Sequence, residues 1–424
     1  MKRIGKSITR RKDQMVVEDD KKYKRITIKT NCGGVVVRDE VLGKEIRTKN
    51  QYYVKSGQLA VSKIDARNGA FGIVPPEADG AIITGNFWVY DVKPDIASIE
   101  YLILLLSSNV FVQVWQDCSN GSGNRLYLQE PKFLNYKIPL PDISVQKQLV
   151  KEYNYKLTQA QNLEDTLQNK ELELEKFIFS ELGIKSLQVK SSSNLLQTIS
   201  FKDVFFWGYD KLLNKLPYTF EKYKAYNFNN KPSWLIKIYR GKSPKYADSN
   251  IVILNQKCNR TNSIDLSFAK SIDEFWFKSI DKEFLTQEND ILINSTGEGT
   301  IGRASLIKKE YVGYAYDSHL LLLRVNLKEV NPELVVYLIN SKYGQNQVQI
   351  YKSAQATKQT ELGIENTKKI LFPLPDIKKQ NKLALHIREQ ENEMCLLSKN
   401  ITYLRESAKK EFEEAIFCEP QEAD

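Results

Sequence analysis

Few residues in this chain have the type and spacing for chemistry. "RGKSP" (residues 240–244) puts Gly241, Lys242 and Ser243 in the order of a phosphate-binding loop. Such a loop also needs a glycine five positions before Gly241, so that backbone N–H groups can wrap a phosphate, and Ile236 stands there. ATP is not expected at this site. His319 and His386 are the only histidines, with no HxxxH or Cys/His spacing for a metal. An amino-methyltransferase would need an Asn/Asp-Pro-Pro-aromatic loop to grip the target amine, and "VPPEADG" (74–80) has the prolines without those flanks. No PD…ExK cluster follows Asp95, Asp142 or Asp376. The residues therefore read as non-catalytic, with no catalytic, metal or cofactor site of their own.

The composition points to recognition instead. The 424 residues carry a formal charge of +10, with 42% hydrophobic and 27% charged residues, ordinary for a globular protein of two to four domains. The basic excess favours an anionic partner, nucleic acid before membrane surface. Five scattered cysteines without a CxxC pair suggest a reducing, cytoplasmic setting with no disulfide framework. The most apolar run, "IEYLILLL" (99–106), is far shorter than the ~20 residues of a membrane span. No signal peptide is expected.

Long-range self-similarity gives the organisation. Pro139, Leu140, Pro141, Asp142, Ile143, Gln146 and Leu149 match Pro373, Leu374, Pro375, Asp376, Ile377, Gln380 and Leu383 at a constant offset of 234. Prolines disfavour helix before them, and Asp142 and Asp376 are expected N-caps, so each copy is an extended approach to a helix start. Apolar residues then recur at helical spacing. The first seam runs through Val150, Tyr153, Leu157, Ala160, Leu167, Leu174 and Ile178, with Glu164 and Glu171 as polar breaks. The second runs through Leu383, Ile387, Met394, Leu397, Ile401, Leu404, Ala408 and Ala415, broken by Gln390 and Glu411. A helix of ~38 residues is ~57 Å long, and one apolar stripe of that length needs a partner. Each copy is the expected partner of the other. The offset grows to 238 at Ile178 and Ile416, so the second helix carries four extra residues, the size of a coiled-coil stutter.

The segments before the helices also repeat. "NGAFGIV" (68–74) resembles "EGTIGRASLI" (298–307), "DGAIITGNFWVYDV" (79–92) resembles "VGYAYDSHLLLLRV" (312–325), and "IEYLILLLSSN" (99–109) resembles "PELVVYLINSK" (332–342). Strand-like and amphipathic helical runs alternate in both. Gly69, Gly72, Gly299 and Gly302 stand where strand patterns break and are expected in turns or bulges. The fold class is α+β: two mixed α/β domains in pseudo-twofold arrangement, separated by two long antiparallel coiled-coil helices. The expected boundaries are 1–142 for the first domain, 143–184 for its helix, 185–199 for a linker, 200–376 for the second domain, 377–419 for its helix and 420–424 for a tail. Duplex DNA is itself pseudo-twofold, and a dimer-like reader suits two half-sites at fixed separation.

The ordered set of motifs resembles the DNA-specificity subunits of type I restriction–modification systems. The resemblance rests on the two "PLPDI" helix starts, on "IYRGKSPKY" (238–246), "DILINSTGEGTIGRA" (290–304) and "SAQATKQTEL" (353–362), and in the first half on "VSKIDARNGAFGIV" and "SGNRLYLQEPKFLNYKIPLP". It implies two target-recognition domains that each read half of a bipartite double-stranded DNA site, and helices that measure the unread spacer. It implies as partners two copies of a methyltransferase subunit that uses S-adenosylmethionine. In the full nuclease it adds a motor–nuclease subunit that uses ATP and Mg. The two halves differ, so the target should be asymmetric. The alternative is a coiled-coil scaffold without sequence-specific DNA binding.

Base edges are read by Arg, Lys, Asn, Gln, Ser and Thr, and phosphates are held by Lys and Arg, mostly from loops. The DNA-binding candidates in the first domain are Lys63, Arg67, Asn68, Asn120, Ser122, Asn124 and Arg125. In the second they are Lys242, Lys245, Arg260, Asn294, Ser295, Thr296, Arg303, Gln355, Thr357, Lys358 and Gln359. Phe71, Tyr127 and Tyr351 lie nearby, with core packing the expected fate of each. The basic opening "MKRIGKSITRRK" reads either as an arm on phosphates or as a disordered terminus. His319 reads as structural, and His386 as packing beside the helix seam or facing solvent.

Overall fold

A computed structural model describes residues 1–122, 125–187, 216–354 and 360–417. The expected linker, 185–199, falls almost wholly outside the described residues. The chain divides into two units, Met1–Asp165 with Leu397–Asp424, and Thr166–Leu396.

The first unit opens on a strand. Ile8–Arg11 (β1) belongs to a four-stranded antiparallel sheet with Leu59–Ser62 (β2), Phe71–Ile73 (β3) and Phe87–Val92 (β4), in the order β1-β4-β2-β3. The basic opening is thus not a disordered terminus: Lys2–Arg3 pairs with Lys137–Ile138, Ile4–Ser7 is one helical turn, and Ile8–Arg11 is a sheet edge. Its register sets Arg10 opposite Tyr90 and buries Ile8 opposite Val92. Helices Ile99–Leu106 (α1) and Asn109–Asp117 (α2) follow the sheet. The Ser98 side chain caps α1 by accepting the Tyr101 N–H at 3.1 Å. The apolar "IEYLILLL" run is therefore a core helix, with Tyr101, Leu102, Leu105 and Leu106 buried. Trp115 stacks between Phe71 and Phe133, with centroids at 5.2 and 5.1 Å, and its indole N–H reaches the Leu106 carbonyl at 3.1 Å. A hairpin, Ser119–Ser122 (β5) and Arg125–Leu128 (β6), ends this half. After the short helix Glu130–Asn135 and the strand Lys137–Ile138 comes the long helix Ile143–Leu182 (α3).

The second unit repeats this order. Leu235–Arg240 (β7), Ile291–Asn294 (β8), Ala304–Leu306 (β9) and Leu320–Val325 (β10) form a four-stranded antiparallel sheet in the order β7-β10-β8-β9, the same topology as in the first unit. Pro332–Asn340 (α4) and Lys342–Tyr351 (α5) correspond to α1 and α2, and the short pair Ser353–Ala354 (β11) and Thr360–Glu361 (β12) takes the place of the hairpin. Asn331 caps α4 as Ser98 caps α1, at 3.2 Å from Leu334 N. The long helix Ile377–Phe417 (α6) closes the chain.

The halves diverge in a second sheet. The first unit has five strands, in the order Gln14–Val16, Asn50–Tyr53, Ile82–Ile83, Lys22–Ile28 and Val35–Leu42. The second has three, in the order Lys270–Ser271, Val252–Leu254 and Ala315–Tyr316. Both keep one parallel pairing, Arg25 with Ile82 and Ile253 with Ala315. Of the four expected turn glycines, Gly69, Gly299 and Gly302 have positive φ, of 75°, 73° and 78°. Gly72 does not: it lies inside β3, where a Cβ would come within 2.8 Å of the Gly34 Cα, so close backbone approach is its requirement.

The repeated Gln146 and Gln380 explain why the chain writes "PLPDI…Q" twice. Both side chains are buried. Gln146 Nε2 donates to the carbonyls of Ile96 at 2.9 Å and Pro141 at 2.8 Å, and its Oε1 accepts the Ser98 N–H at 3.0 Å. Gln380 Nε2 donates to Glu329 and Pro375, both at 2.8 Å, and its Oε1 accepts the Asn331 N–H at 2.9 Å. Each glutamine thus ties the first turn of a long helix to the proline approach and to the N-cap residue of the unit's first core helix. Asp376 caps α6 through Lys379 N at 3.1 Å. The expected cap at Asp142 is not made by its side chain, and only its carbonyl is used, by Gln146 N at 3.0 Å.

The helices α3 and α6 pack together, antiparallel. In the first unit Lys156 pairs with Glu411, and Glu164 with Arg405 at 2.8 Å. In the second, Lys170 pairs with Glu393 at 3.0 Å, and Glu181 with Lys379. Ala160, Leu174 and Ile178 are buried along α3, and Leu383, Ile387, Ile401 and Ala408 along α6. His386 packs on Phe177 at 4.6 Å. One seam expectation needs correction: Ala415 is exposed, and Phe412 is buried in its place, 5.8 Å from Tyr101 and 6.0 Å from Tyr153 by ring centroids. From Leu404 the seam steps by four through Ala408, Phe412 and Ile416.

Glu391 of α6 is a half-buried carboxylate. It accepts from Asn262 Nδ2 at 2.5 Å, beside a 170 Å³ cavity also lined by Lys308, Glu333 and Arg388. Burial, and then the Glu333 charge, push its carboxyl above the usual range; the Asn262 bond and Lys308 oppose this. Arg388 is engaged by Glu333 at 2.6 and 2.7 Å. A raised folded-state carboxyl pKa means the folded protein binds the proton more tightly, so the ionised form costs stability near neutrality and that cost fades as pH falls. Glu391→Gln should raise the melting temperature at neutral pH, by a margin that shrinks on acidification toward about pH 5. Melting curves across that range check this, and a gain independent of pH would exclude the carboxylate as its cause.

Candidate nucleic-acid interface

In the second unit four segments converge at one end of the sheet. Arg240 closes β7, donates through Nε to the Ser318 carbonyl at 3.0 Å and forms an ion pair with buried Glu361 of β12. Gly241 N donates to Leu320 O at 3.0 Å, and a Cβ on Gly241 would lie 2.0 Å from the Asp317 carbonyl, so only glycine fits. Ser295 N donates to His319 O at 2.9 Å and Leu362 N to Ser295 O at 2.7 Å, joining the ends of β8, β10 and β12. Thr296 Oγ1 lies 2.8 Å from His319 Nδ1 and donates to Gln256 Oε1 at 3.4 Å. His319 N is held by Asp317 Oδ1 at 3.0 Å, and burial pushes the Asp317 carboxyl up. The "RGKSP" segment is extended after β7 and is followed by no helix, so it lacks the dipole of a phosphate-binding loop.

Lys242 is exposed, with its ammonium 4.7 Å over the Phe284 ring. Lys245 is exposed and its carbonyl takes the Asp273 N–H. Arg260 lies 4.6 Å over Phe268, and Arg303 is half-buried. Asn294 and Ser295 are wholly buried, which removes their side chains from any surface contact in this conformation. Asn294 accepts from Asn259 Nδ2 at 2.9 Å and donates to the Gln256 carbonyl at 3.1 Å, as a framework residue. Thr296 is also buried, behind His319. Gln355, Thr357, Lys358 and Gln359 lie outside the described residues.

In the first unit the corresponding end is cationic and aromatic. The Arg10 guanidinium sits 5.0 Å over Trp88 and 5.8 Å over Tyr90, and bonds Glu130 at 2.6 Å. Lys63 Nζ is 5.5 Å over the same Trp88, and the Lys63 carbonyl takes the Leu128 N–H, tying it to the hairpin. Burial, then the Arg10 charge, push the Lys63 ammonium down. Asn120 is exposed and accepts from Lys132 at 3.0 Å. Asn68 is exposed in the turn before β3, its carbonyl taking the Asn31 N–H; Arg67 is half-buried beside it. Ser122 and Arg125 face each other across the β5–β6 hairpin, and Asn124 lies outside the described residues. Tyr127 is exposed, while Phe71 is core and Tyr351 packs against the second unit's core.

The reading from sequence missed Arg10, Trp88 and Glu130 here, and Arg240, Gln256 and Glu361 in the second unit. It also missed an open groove of about 550 Å³ on the five-stranded sheet, lined by Arg25, Arg38, Arg47, Thr27 and Thr48. Arg25 holds Asp39 through two bonds of 2.7 Å and keeps that carboxyl below its usual range. Alternation of basic residues in "KYKRITI" was the available signal. Among the described residues no group of His, Cys, Asp and Glu is arranged to hold a metal, and no single helix is long and apolar enough to cross a membrane.

A family model for the type I restriction modification DNA specificity domain matches residues 4–176 and 265–392. The chain belongs to that family. The match takes in both repeats of this specificity protein, each with most or part of its long helix. No curated protein matches it in sequence. A solved structure described as the structural basis of complex assembly and conformational transition of the type I R-M system is similar in fold, with a TM-score of 0.59, 13% identity, and 97% of this chain and 96% of that chain covered. The HsdS subunit from Thermoanaerobacter tengcongensis (TM-score 0.45, 13% identity, coverage 98% and 95%) and a type I S subunit from M. genitalium (0.48, 10%, 97% and 95%) also match.

Proposed function

We propose that this chain is the sequence-reading subunit of a type I restriction–modification complex. One half-site of a bipartite, asymmetric duplex is read by residues 1–142 and the other by 200–376, with helices 143–184 and 377–419 setting the spacer. The chain performs no catalytic step. Adenine methylation belongs to two partner methyltransferase subunits using S-adenosylmethionine, and cleavage, where present, to a motor–nuclease subunit using ATP and Mg. The observation that carries this is duplication with selective divergence. The four-stranded sheet, its two helices and the glutamine tie are repeated, while the second sheet has five strands in one unit and three in the other. Repeated frames with different surfaces suit one ligand type read at two unlike sequences. The surfaces suit an anion, with Lys63, Arg67, Lys242 and Lys245 on or near the loops.

Modified-base sequencing of DNA from cells carrying this chain with its methyltransferase partner tests the proposal. The expected result is one asymmetric motif in two blocks with a fixed gap. Modification without such a motif, or none above the level without this chain, would overturn it.

A further inference from the structure

We propose that His319 reads a base edge in the second half of the target, with Thr296 as its positioning residue. The proposal rests on the DNA-reading function above and names one of its contacts. A histidine kept for packing alone has both ring nitrogens satisfied or an apolar setting. His319 has neither. Its backbone is pinned on both sides, by Asp317 Oδ1 on its N–H and by Ser295 N on its carbonyl. Its ring is fixed at one nitrogen only, Nδ1, by Thr296. Nε2 has no protein partner among the described residues and is not sealed from solvent. The side chain is half-exposed where the ends of β7, β8, β10 and β12 meet.

The support behind the ring is rigid. Thr296 is buried and bonded to Gln256. The Gln256 carbonyl is held by Asn294, and Asn294 by Asn259, which also donates to Leu292 O and Arg303 O. An amide network with Asn259 and Asn294 wholly buried and Gln256 half-buried thus fixes one ring nitrogen and leaves the other free, the arrangement a specificity contact requires. The hydrogen-bond order also assigns its chemistry. We infer that, with Thr296 Oγ1 turned toward Gln256 Oε1, the ring gives Nδ1–H to Thr296 and presents Nε2 as an acceptor; the opposite tautomer would present Nε2–H as a donor. An acceptor matches an exocyclic amino group, adenine N6 or cytosine N4, in the major groove. A phosphate oxygen, itself an acceptor, does not match it.

The test uses the full chain with its methyltransferase partner. Competition binding is measured on the bipartite duplex found by sequencing and on duplexes carrying every single base-pair substitution in each half. His319→Ala should lose about tenfold in discrimination at one base pair of the second half. Discrimination throughout the first half should stay unchanged. Thr296→Val, which keeps the shape and removes the hydroxyl, should relax the same base pair less. His319→Gln serves as the second variant if His319→Ala melts early, with the same relaxation expected. Unchanged discrimination at every position would overturn the inference, as would an even loss of affinity across all duplexes, which marks a phosphate contact. A wild-type complex that discriminates no base pair would instead overturn the proposed function.

Discussion

Replacing Gln380 with alanine is expected to lower the melting temperature of the second unit by about 10 °C. The side chain makes three hydrogen bonds to backbone groups and is buried. Truncation leaves the Asn331 N–H and the Glu329 and Pro375 carbonyls without that partner. Each buried polar group left unmade costs ~1–3 kcal/mol, so the change should cost ~3–5 kcal/mol in all. Gln380→Glu should be worse, since a carboxylate cannot donate to two carbonyls and adds a buried charge. Hydrogen exchange should localise the damage to the first turn of α4, at Leu334 and its neighbours. A melting change below about 1 °C would show that the tie contributes little. Gln146→Ala should act likewise on the first unit.

The second large effect concerns the spacer. Seven residues inserted in both long helices, between the Glu164–Arg405 and Lys170–Glu393 pairs, keep the seam in phase and add ~10.5 Å. That is about three base-pair steps at ~3.4 Å each, and it also rotates one half-site by roughly 100° around the duplex. Modification of the original site should fall to background. A matched insertion of 21 residues adds ~31.5 Å, close to one duplex turn of about 34–36 Å, and should restore modification at a gap longer by about nine or ten base pairs. The same insertion in one helix alone breaks the ion-pair register and should abolish recognition. Modified-base sequencing reads all three. Retention of the original gap by the 21-residue variant would refute the measuring role.

Much of the architecture was legible because it was written twice. The repeated "PLPDI" start, the matching strand and helix segments and the long seams led directly to α3, α6 and the paired sheets. The details that escaped share a physical cause: they depend on what lies across the fold. Gln146 and Gln380 are polar residues in polar helices, and no periodicity reveals that both are buried. Ile8–Arg11 is too basic to read as a strand until its partner Phe87–Val92 is known. Phe412 replaces Ala415 in the seam because Tyr101 and Tyr153 stand ready to receive it. Asn294 and Ser295 look like loop side chains in "ILINST", yet the Asn259 amide and the strand ends around them draw them inward. The candidate interface rests on loops named from the sequence, whereas Arg240, Gln256 and Glu361, which bond to the strand ends beside them, depend on contacts across the fold.

The glutamine ties have one further consequence. Each uses only backbone atoms of the domain it fastens, and the residues that supply them differ: Ile96 and Ser98 in one copy, Glu329 and Asn331 in the other. The joint is therefore indifferent to the side chains it holds. A domain fastened this way can change its surface residue by residue without altering the joint to its helix. The fold separates an attachment that must not vary from a vocabulary that can.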